Sequence, residues 1–146
     1  MINSFKGKYF FLSNFYKCEV TFEGITYQNT EAAFHAQKTL DVEERKKFST
    51  LNPSEAKRAG RKLNLRSDWE VIKTRVMYNV CKAKFLQNPE LKKMLLETGI
   101  EYLEEGNNWG DDFWGTVNGV GKNRLGCILM QIRDELRRNN TTKEKI

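Results

Sequence analysis

The sequence predicts an α+β fold, a compact helix-rich single domain with a small antiparallel sheet near the N-terminus. Three observations predict it. The stretch "KCEVTFEGITYQ" alternates apolar and polar residues around Glu23-Gly24, a pattern typical of a short hairpin. Signals for the starts of helices recur from residue 29 onward. The 146 residues, 39% hydrophobic and 30% charged, suit one hydrophobic core.

The helices are predicted from their N-terminal caps. Residues that can cap a helix, in two cases followed by a proline at its first position, begin four predicted helices: Asn29 or Thr30, Asn52-Pro53-Ser54-Glu55, Ser67-Asp68-Trp69-Glu70 as a capping box, and Asn88-Pro89. The third helix should run to about Leu86, and the fourth should end near Thr98-Gly99. Apolar residues at helical spacing from 125 to 136 predict a last helix. The domain therefore spans residues 1–139, followed by a flexible tail at 140–146.

A glycine-rich loop, residues 106–126, is too long to be a plain connector. It contains Trp109, Phe113 and Trp114 beside Asp111. Aromatic side chains in such a loop can stack on a planar ligand, and glycines let backbone amides approach it. Three residues that can bind an anion at the start of the last helix follow, namely Lys122, Asn123 and Arg124. The loop is therefore predicted to bind a ligand.

Composition excludes several classes of protein. Three scattered cysteines and one histidine argue against a disulfide framework, a zinc site and a transition-metal enzyme, so no metal or cofactor is predicted. No apolar run approaches the roughly 20 residues of a membrane span, and the N-terminus lacks an export signal, which predicts a cytoplasmic protein without membrane contacts. The net charge of +6 favours anionic partners such as phosphates or nucleic acid, although a solvated lysine-rich surface explains it equally well.

The segment "YQNTEAAFHAQKTLD", residues 27–41, suggests a catalytic pair. Glu31 and Lys38 are seven residues apart, so in one helix they would lie on the same face with Phe34 and His35 between them. The helix dipole alone explains an acid in the first turn and a base near the other end. From the pattern, both readings stay open, and His35 alone is more often a packed or surface residue than a catalyst.

Two further segments carry weaker signals. The basic run "KRAGRKLNLR", residues 57–66, includes Arg61, and Ala59-Gly60 within it indicates a tight approach to a helix or a phosphate. The aromatic run "FFLSNFY", residues 10–16, sets Asn14 inside an apolar stretch. Such a turn either lines a pocket or simply belongs to the core.

From Phe10 to Arg133 the chain resembles the NADAR family of YbiA-like proteins. The stretches that carry the resemblance are "FLSNFY", "GITYQNTEAAFHAQKTLD", "KRAGRK", "LRSDWEVIKTRVM", "KFLQNPELKKMLLETG", "DDFWG" and "GKNRLGCILMQIR". Their order and spacing together are specific, although no single stretch is. The resemblance implies a compact helix-rich α+β fold and N-glycosidase activity. Some members cleave phosphoribosylamino-pyrimidine intermediates of riboflavin synthesis, and others remove ADP-ribose from guanine bases in nucleic acid.

The resemblance also implies site residues. Glu31 matches the family's essential glutamate and Lys38 its lysine, which makes them the catalytic candidates. The substrate-binding candidates are Asn14, Phe15, Phe34, Arg61, Trp69, Asp111, Trp114, Asn123 and Arg124. Two departures put substrate choice in doubt, because many relatives have His where this chain has Ala32 and commonly Gln where it has His35.

We expect an N-glycosidase that removes ADP-ribose from guanine bases in nucleic acid, since the basic surplus suits ADP-ribosylated DNA or RNA. Two alternatives stay open: cleavage of the riboflavin intermediates, and a non-catalytic module that binds ADP-ribose or a related nucleotide. A further alternative is that the protein simply binds nucleic acid. This alternative predicts salt-dependent binding to unmodified DNA. The sequence gives no signal for an oligomeric state.

Overall fold

The computed structural model describes residues 1–145, with side chains described for residues 1–139. The chain forms two compact units, here called the middle unit (Asn14–Pro89) and the terminal unit (Met1–Ser13 with Glu90–Ile146). The predicted fold class is confirmed, since the chain is rich in helices and carries a small antiparallel sheet near the N-terminus. Within the described residues, none of the helices has the length and hydropathy that a membrane span requires.

The middle unit begins with the predicted hairpin. Strands β1 (Lys17–Phe22) and β2 (Ile25–Asn29) pair antiparallel, with Val20 opposite Tyr27. The turn residues Glu23 and Gly24 both have positive φ angles, of 52° and 81°, as a two-residue hairpin turn requires. The side chains of Val20 and Tyr27 are fully buried, so one face of the hairpin contributes to the core of the unit.

Four α-helices and a short 3-10 helix follow in the middle unit. They are α1 (Thr30–Ala36), α2 (Val42–Lys46), the 3-10 helix Lys47–Thr50, α3 (Pro53–Arg61) and α4 (Trp69–Gln87). Two predicted caps are confirmed. The side chain of Asn29 accepts a hydrogen bond from the backbone of Ala32 at 2.7 Å, and Asn52 and Glu55 form a reciprocal capping box.

The predicted capping box at Ser67–Glu70 is wrong. Helix α4 begins at Trp69, and its capping residue Asp68 makes no side-chain bond to the helix backbone. The Asp68 carboxylate accepts from Nε of Arg66 at 2.6 Å. The acid of the predicted box, Glu70, accepts from Nζ of Lys73 at 2.7 Å instead of from the backbone at the start of the helix.

The terminal unit holds a 3-10 helix (Gly7–Leu12), α5 (Pro89–Glu97, from its second residue), β3 (Gly106–Asn107), β4 (Thr116–Val117) and α6 (Arg124–Lys145). The parallel pair β3–β4 lies inside the predicted loop and was not predicted. The loop is shorter than expected, because α6 begins at Arg124. Gly99 ends α5 as predicted, with a φ of 66°. The predicted flexible tail at 140–146 lies outside the residues whose side chains are described.

Candidate active site

Glu31 is placed by the polar turn before the hairpin. Its backbone N–H donates to the carbonyl oxygen of Asn14 at 3.1 Å. Asn14 is itself buried, and its side-chain amide donates to the sulfur of Met77 on α4 at 3.3 Å. The neighbouring Phe15 is 37% exposed. The turn therefore ties the start of α1 to α4, which fixes the backbone from which the Glu31 carboxylate projects.

The carboxylate of Glu31 is paired with the chain's one histidine. Oε1 of Glu31 lies 2.8 Å from Nε2 of His35, one helical turn later. Both side chains are largely withdrawn from solvent, with 13% of the Glu31 side chain and 9% of the His35 side chain exposed. Electrostatic interactions are stronger in such a site than in water. Glu31 also lies in the first turn of α1, where the helix dipole stabilises negative charge.

The prediction that Glu31 and Lys38 share one face of a single helix is wrong. Helix α1 ends at Ala36, and Lys38 lies in the turn that follows. The side-chain amide of Gln37 donates to the carbonyl oxygen of Ala33 at 3.0 Å. The carbonyl oxygen of Lys38 is taken by the backbone N–H of Arg66 at 2.8 Å. The backbone N–H of Lys38 donates to the carbonyl oxygen of His35, three residues back, at 3.1 Å, so the chain leaves the α-helical pattern before Lys38.

Lys38 nevertheless lies within the electrostatic reach of Glu31. Burial lowers the pKa of the half-buried Lys38 ammonium group, since the charged form loses hydration. The Glu31 carboxylate acts in the opposite direction and raises this pKa, while the nearby guanidinium of Arg61 lowers it further. Glu70 and Lys73 make smaller contributions of opposite sign. The acid and the amine therefore interact electrostatically, although no continuous helix aligns them.

Phe34 packs against the His35 imidazole, and Trp69 packs against Phe34. The ring centroid of Phe34 lies 5.4 Å from that of His35 in an edge-on arrangement and 5.2 Å from that of Trp69. Phe34 and Trp69 are both buried, with about a twentieth of their surface exposed. Their predicted role in substrate binding stays a prediction. In the structure they pack on each other, and Phe34 also packs on His35.

Gly60 brings α3 against α1. A Cβ atom added at Gly60 would collide with the imidazole ring of His35, closest to Nδ1. The tight approach to a helix predicted for Ala59-Gly60 is therefore present, and the helix is α1. Arg61 follows directly and is exposed. Sequence reasoning left the role of His35 open, and the available signal was its spacing of four residues from Glu31.

In the terminal unit, the polar candidates hold the loop. Oδ1 of Asp111 accepts hydrogen bonds from the backbone N–H groups of Phe113 and Trp114, at 3.1 and 2.9 Å. The buried side chain of Asn123 accepts from the backbone of Glu105 at 3.0 Å and donates to the carbonyl oxygen of Leu103 at 2.9 Å. These bonds use one carboxylate oxygen of Asp111, and both the oxygen and the nitrogen of the Asn123 amide.

The remaining two candidates of the terminal unit lie close to Phe113. The ring of Trp114 packs edge-on against it at 4.7 Å between centroids, and Trp114 is half-buried. The exposed Arg124, first residue of α6, holds its guanidinium 6.0 Å from the Phe113 centroid, and the Lys122 ammonium lies 5.6 Å from the same centroid. Two cationic side chains thus lie close to the Phe113 ring, next to the N-terminus of α6.

The structure therefore sorts the predicted site residues into two sets. The middle unit contains Asn14, Phe15, Glu31, Phe34, Lys38, Arg61 and Trp69. The terminal unit contains Asp111, Trp114, Asn123 and Arg124. Among the residues with described side chains, no three His, Cys, Asp or Glu groups are arranged to hold a metal ion.

Comparison with known proteins supports the resemblance. The model of the NADAR domain matches residues 3–137. Over 131 residues the chain is 39% identical to the N-glycosidase YbiA of Shigella boydii, a match that covers 85% of this chain and 79% of that protein. An N-glycosidase of Nostoc punctiforme is 33% identical over 132 residues, covering 86% of this chain and 84% of that one.

Two further relatives extend the comparison. A riboflavin biosynthesis protein of Vibrio vulnificus is 39% identical over 130 residues, which cover 86% of this chain and 35% of that longer protein. The NMR structure of Escherichia coli YbiA aligns with a TM-score of 0.83 and 34% identity, covering 97% of this chain and 89% of that chain. The chain therefore belongs to the NADAR family, and with it to the N-glycosyl hydrolases.

Proposed function

We propose that Glu31 and Lys38 form the catalytic centre for hydrolysis of a ribose–base N-glycosidic bond. One observation carries the proposal. A largely buried carboxylate, bonded to His35, lies within electrostatic reach of an amine whose pKa is lowered by burial. An acid or base next to an amine that sheds its proton more readily than a free lysine is the combination that covalent glycoside chemistry needs.

Glu31 is the proposed acid/base. Cleavage of the bond from C1′ to the base develops oxocarbenium character at C1′, which a carboxylate stabilises electrostatically. The same carboxyl group can donate a proton to the departing base and then accept one from water. Oε1 of Glu31 is engaged by His35, whereas Oε2 has no hydrogen-bond partner among the described residues, so Oε2 is the oxygen that can do this work.

Lys38 is the proposed nucleophile or electrostatic partner. In the covalent version, the neutral amine bonds to C1′ as the bond to the base breaks, and the base leaves with a proton from Glu31. The nitrogen then loses a proton to Glu31, and opening of the ring passes a proton to the ring oxygen and leaves an imine. Water hydrolyses the imine, which releases the sugar and restores the amine. The lowered pKa of Lys38 favours the neutral form that this route needs.

For the substrate we propose ADP-ribose attached to guanine bases of DNA or RNA. The support is electrostatic. Arg61 and Lys73 act on Lys38 from nearby, and the whole chain carries a net charge of +6, which suits a polyanionic substrate. Arg61 and Arg124 are the proposed phosphate contacts. The cytoplasm is the proposed location, because its reducing conditions suit the free thiols of Cys18, Cys81 and Cys127.

A second candidate substrate is a phosphoribosylamino-pyrimidine intermediate of riboflavin synthesis. The observation that favours it is the relative from Vibrio vulnificus, which is named a riboflavin biosynthesis protein. The same catalytic groups serve this reaction, since a ribosylamine bond also breaks at C1′. A free phosphorylated metabolite needs an arginine for its phosphate but no extended cationic surface.

One experiment tests both candidates and the catalytic claim. The protein is incubated separately with guanine-ADP-ribosylated DNA and with the ribosylaminopyrimidine phosphate, and release of the sugar is followed. We expect turnover of the ADP-ribosylated DNA by the wild type and none by Glu31→Gln. Turnover of the pyrimidine alone would replace the proposed substrate, and tight binding of ADP-ribose without release from either substrate would indicate a non-catalytic binding module.

A further inference from the structure

His35 is a buried polar side chain in hydrogen-bond contact with the proposed acid. It is 7% exposed, Nε2 lies 2.8 Å from Oε1 of Glu31, and Nδ1 is buried without a hydrogen-bond partner among the described residues. A buried polar atom in this position calls for an explanation. The two nitrogens of one ring therefore have opposite environments, one fully engaged and one with no partner.

These environments favour one tautomer of the neutral ring. A proton on Nδ1 would be a buried donor without an acceptor, which is unfavourable. The Nδ1–H tautomer places its proton there. The remaining form carries its proton on Nε2, where it donates to the Glu31 carboxylate, and leaves only a lone pair at Nδ1. The geometry thus favours the neutral Nε2–H tautomer.

The packing around the ring fixes its orientation. Phe34 contacts the imidazole edge-on at 5.4 Å between centroids, and Phe34 is held in turn by Trp69. On the Nδ1 side, Gly60 of α3 leaves no room for even a methyl group. A ring enclosed by an aromatic side chain and by helix backbone cannot swing away from Glu31 without moving α3.

We propose that His35 is a positioning residue that donates from Nε2–H to Oε1 of Glu31 and thereby aims Oε2 at the substrate. This inference rests on the proposed function, since it gives His35 a purpose only if Glu31 acts on the substrate. His35 itself touches no substrate atom in this scheme.

The first test compares two substitutions at one position. His35→Leu keeps much of the volume but removes the donor, whereas His35→Gln retains a side-chain N–H. We expect His35→Leu to lower kcat by roughly 10- to 100-fold, as small misplacements of catalytic groups do, with KM changed less than about threefold. His35→Gln should recover most of that loss. If both variants lose kcat equally, or if His35→Leu keeps kcat, the proposal is wrong.

The second test asks whether Gly60 acts through the histidine. Gly60→Ala should lower kcat in the wild-type background by displacing the ring from Glu31. In the His35→Ala background, where the ring is absent, the same substitution should change kcat less than about twofold. Such non-additivity marks residues in direct contact. Equal losses in both backgrounds would contradict the proposed route from Gly60 through His35 to Glu31.

The third test needs no substitution. The chain has one histidine, so a long-range ¹H–¹⁵N spectrum of untagged, ¹⁵N-labelled protein reports His35 alone. We expect a proton on Nε2, the nitrogen that faces Glu31. A ring with its proton on Nδ1 and none on Nε2 would overturn the proposal even if every variant failed to fold.

Glu31→Gln separates this inference from the function on which it rests. If Glu31→Gln turns over substrate like the wild type, the acid/base assignment fails, and the role of His35 fails with it. If Glu31→Gln is inactive while His35→Leu keeps full kcat, the proposed function stands and only the positioning role is wrong. Thermal melting of each variant verifies that activity is compared between folded proteins.

Discussion

Glu31 in the middle unit and Asp111 in the terminal unit are both carboxylates among aromatic side chains, yet their oxygens are used differently. Oδ1 of Asp111 accepts from two backbone N–H groups, of Phe113 and Trp114. Oε1 of Glu31 is bonded to the side chain of His35. In each carboxylate the second oxygen has no hydrogen-bond partner among the described residues. Similar local composition thus yields a carboxylate that braces the backbone of a loop in one unit and a carboxylate held by an imidazole side chain in the other.

The difference follows from where backbone donors find acceptors. Helix α1 begins with its first N–H groups already satisfied, because Asn29 accepts from Ala32 and the carbonyl of Asn14 accepts from Glu31. The Glu31 side chain is therefore not needed as a cap. Around Asp111 no regular hydrogen-bond ladder serves the backbone, so its N–H groups recruit the carboxylate. Availability for chemistry depends on what the surrounding backbone leaves unused.

The largest expected effect is at Glu31. Glu31→Gln keeps the size of the side chain but removes the acid/base, so kcat should fall by roughly 10²- to 10⁴-fold. The melting temperature should change little, since Gln can still pair with His35. Glu43→Gln, an exposed acid of α2 in the same unit, is the matched control and should keep full activity. Unchanged turnover by Glu31→Gln would mean that Glu31 is not the acid/base, and that it does not differ from Asp111 in having a chemical role.

Lys38 should give the next largest effect. In the proposed covalent route Lys38 attacks C1′ as a neutral amine, so the rate should rise with pH as the ammonium loses its proton. This limb should lie below the pH range of an ordinary lysine, because burial lowers the pKa of Lys38. Lys38→Met should lower kcat by on the order of 10²-fold and abolish the limb. Borohydride should trap the wild type with substrate but not this variant. Full activity without an adduct would exclude the covalent route.

The same pKa shift has a consequence for stability. Because the pKa of Lys38 is lower in the folded protein than in the unfolded chain, the unfolded state binds the proton more tightly at neutral pH. Stability therefore rises as pH increases from the folded toward the unfolded pKa. Urea unfolding at neutral pH and near pH 10 should show Lys38→Met gaining relative to the wild type at the lower pH and losing that gain at the higher. A pH-independent difference would contradict the shift.

In the terminal unit, substitution of Asn123 should affect stability more than activity. Its buried amide bonds the backbone of Glu105 and of Leu103, so Asn123→Ala should lower the free energy of unfolding by about 1–3 kcal/mol, the range for leaving a buried polar partner unsatisfied. Denaturant unfolding measures this. The exposed Asn108 provides the control, since Asn108→Ala should stay within about 0.5 kcal/mol. If Asn123→Ala raises KM at unchanged stability, the predicted binding role is the better one.

Asp111 should give the smallest effect, and its variants distinguish a role in holding the loop from a role in binding the substrate. Asp111→Ala removes the acceptor for two N–H groups and should cost about 0.5–2 kcal/mol of stability, as loss of a helix cap does. Asp111→Asn keeps an oxygen acceptor, so its stability should change much less. If Asp111 only holds the loop through its two hydrogen bonds, kcat/KM of folded Asp111→Asn should match that of the wild type. A large rise in KM for that variant would instead place the carboxylate at the substrate.

The hairpin and most helix boundaries were predictable because their signals are local. The Glu23-Gly24 turn and the Asn52–Glu55 box depend on residues a few positions apart, and both are present. The predicted box before α4 is absent, and its acid Glu70 is paired with Lys73. The length of α1 was overestimated, because the backbone N–H of Lys38 bonds to His35, three residues back, and not four residues back to Phe34. Both predictions depended on sequence spacing, which does not fix these bonds.

By itself, the sequence determined the family and the fold class, because motif order and periodicity are properties of the chain alone. Only the tertiary structure decided that Lys38 reaches Glu31 electrostatically from beyond a broken helix, and that Gly60 closes over His35. Burial and contacts between distant segments set those two features, and burial is a property of packing that no single stretch of sequence encodes.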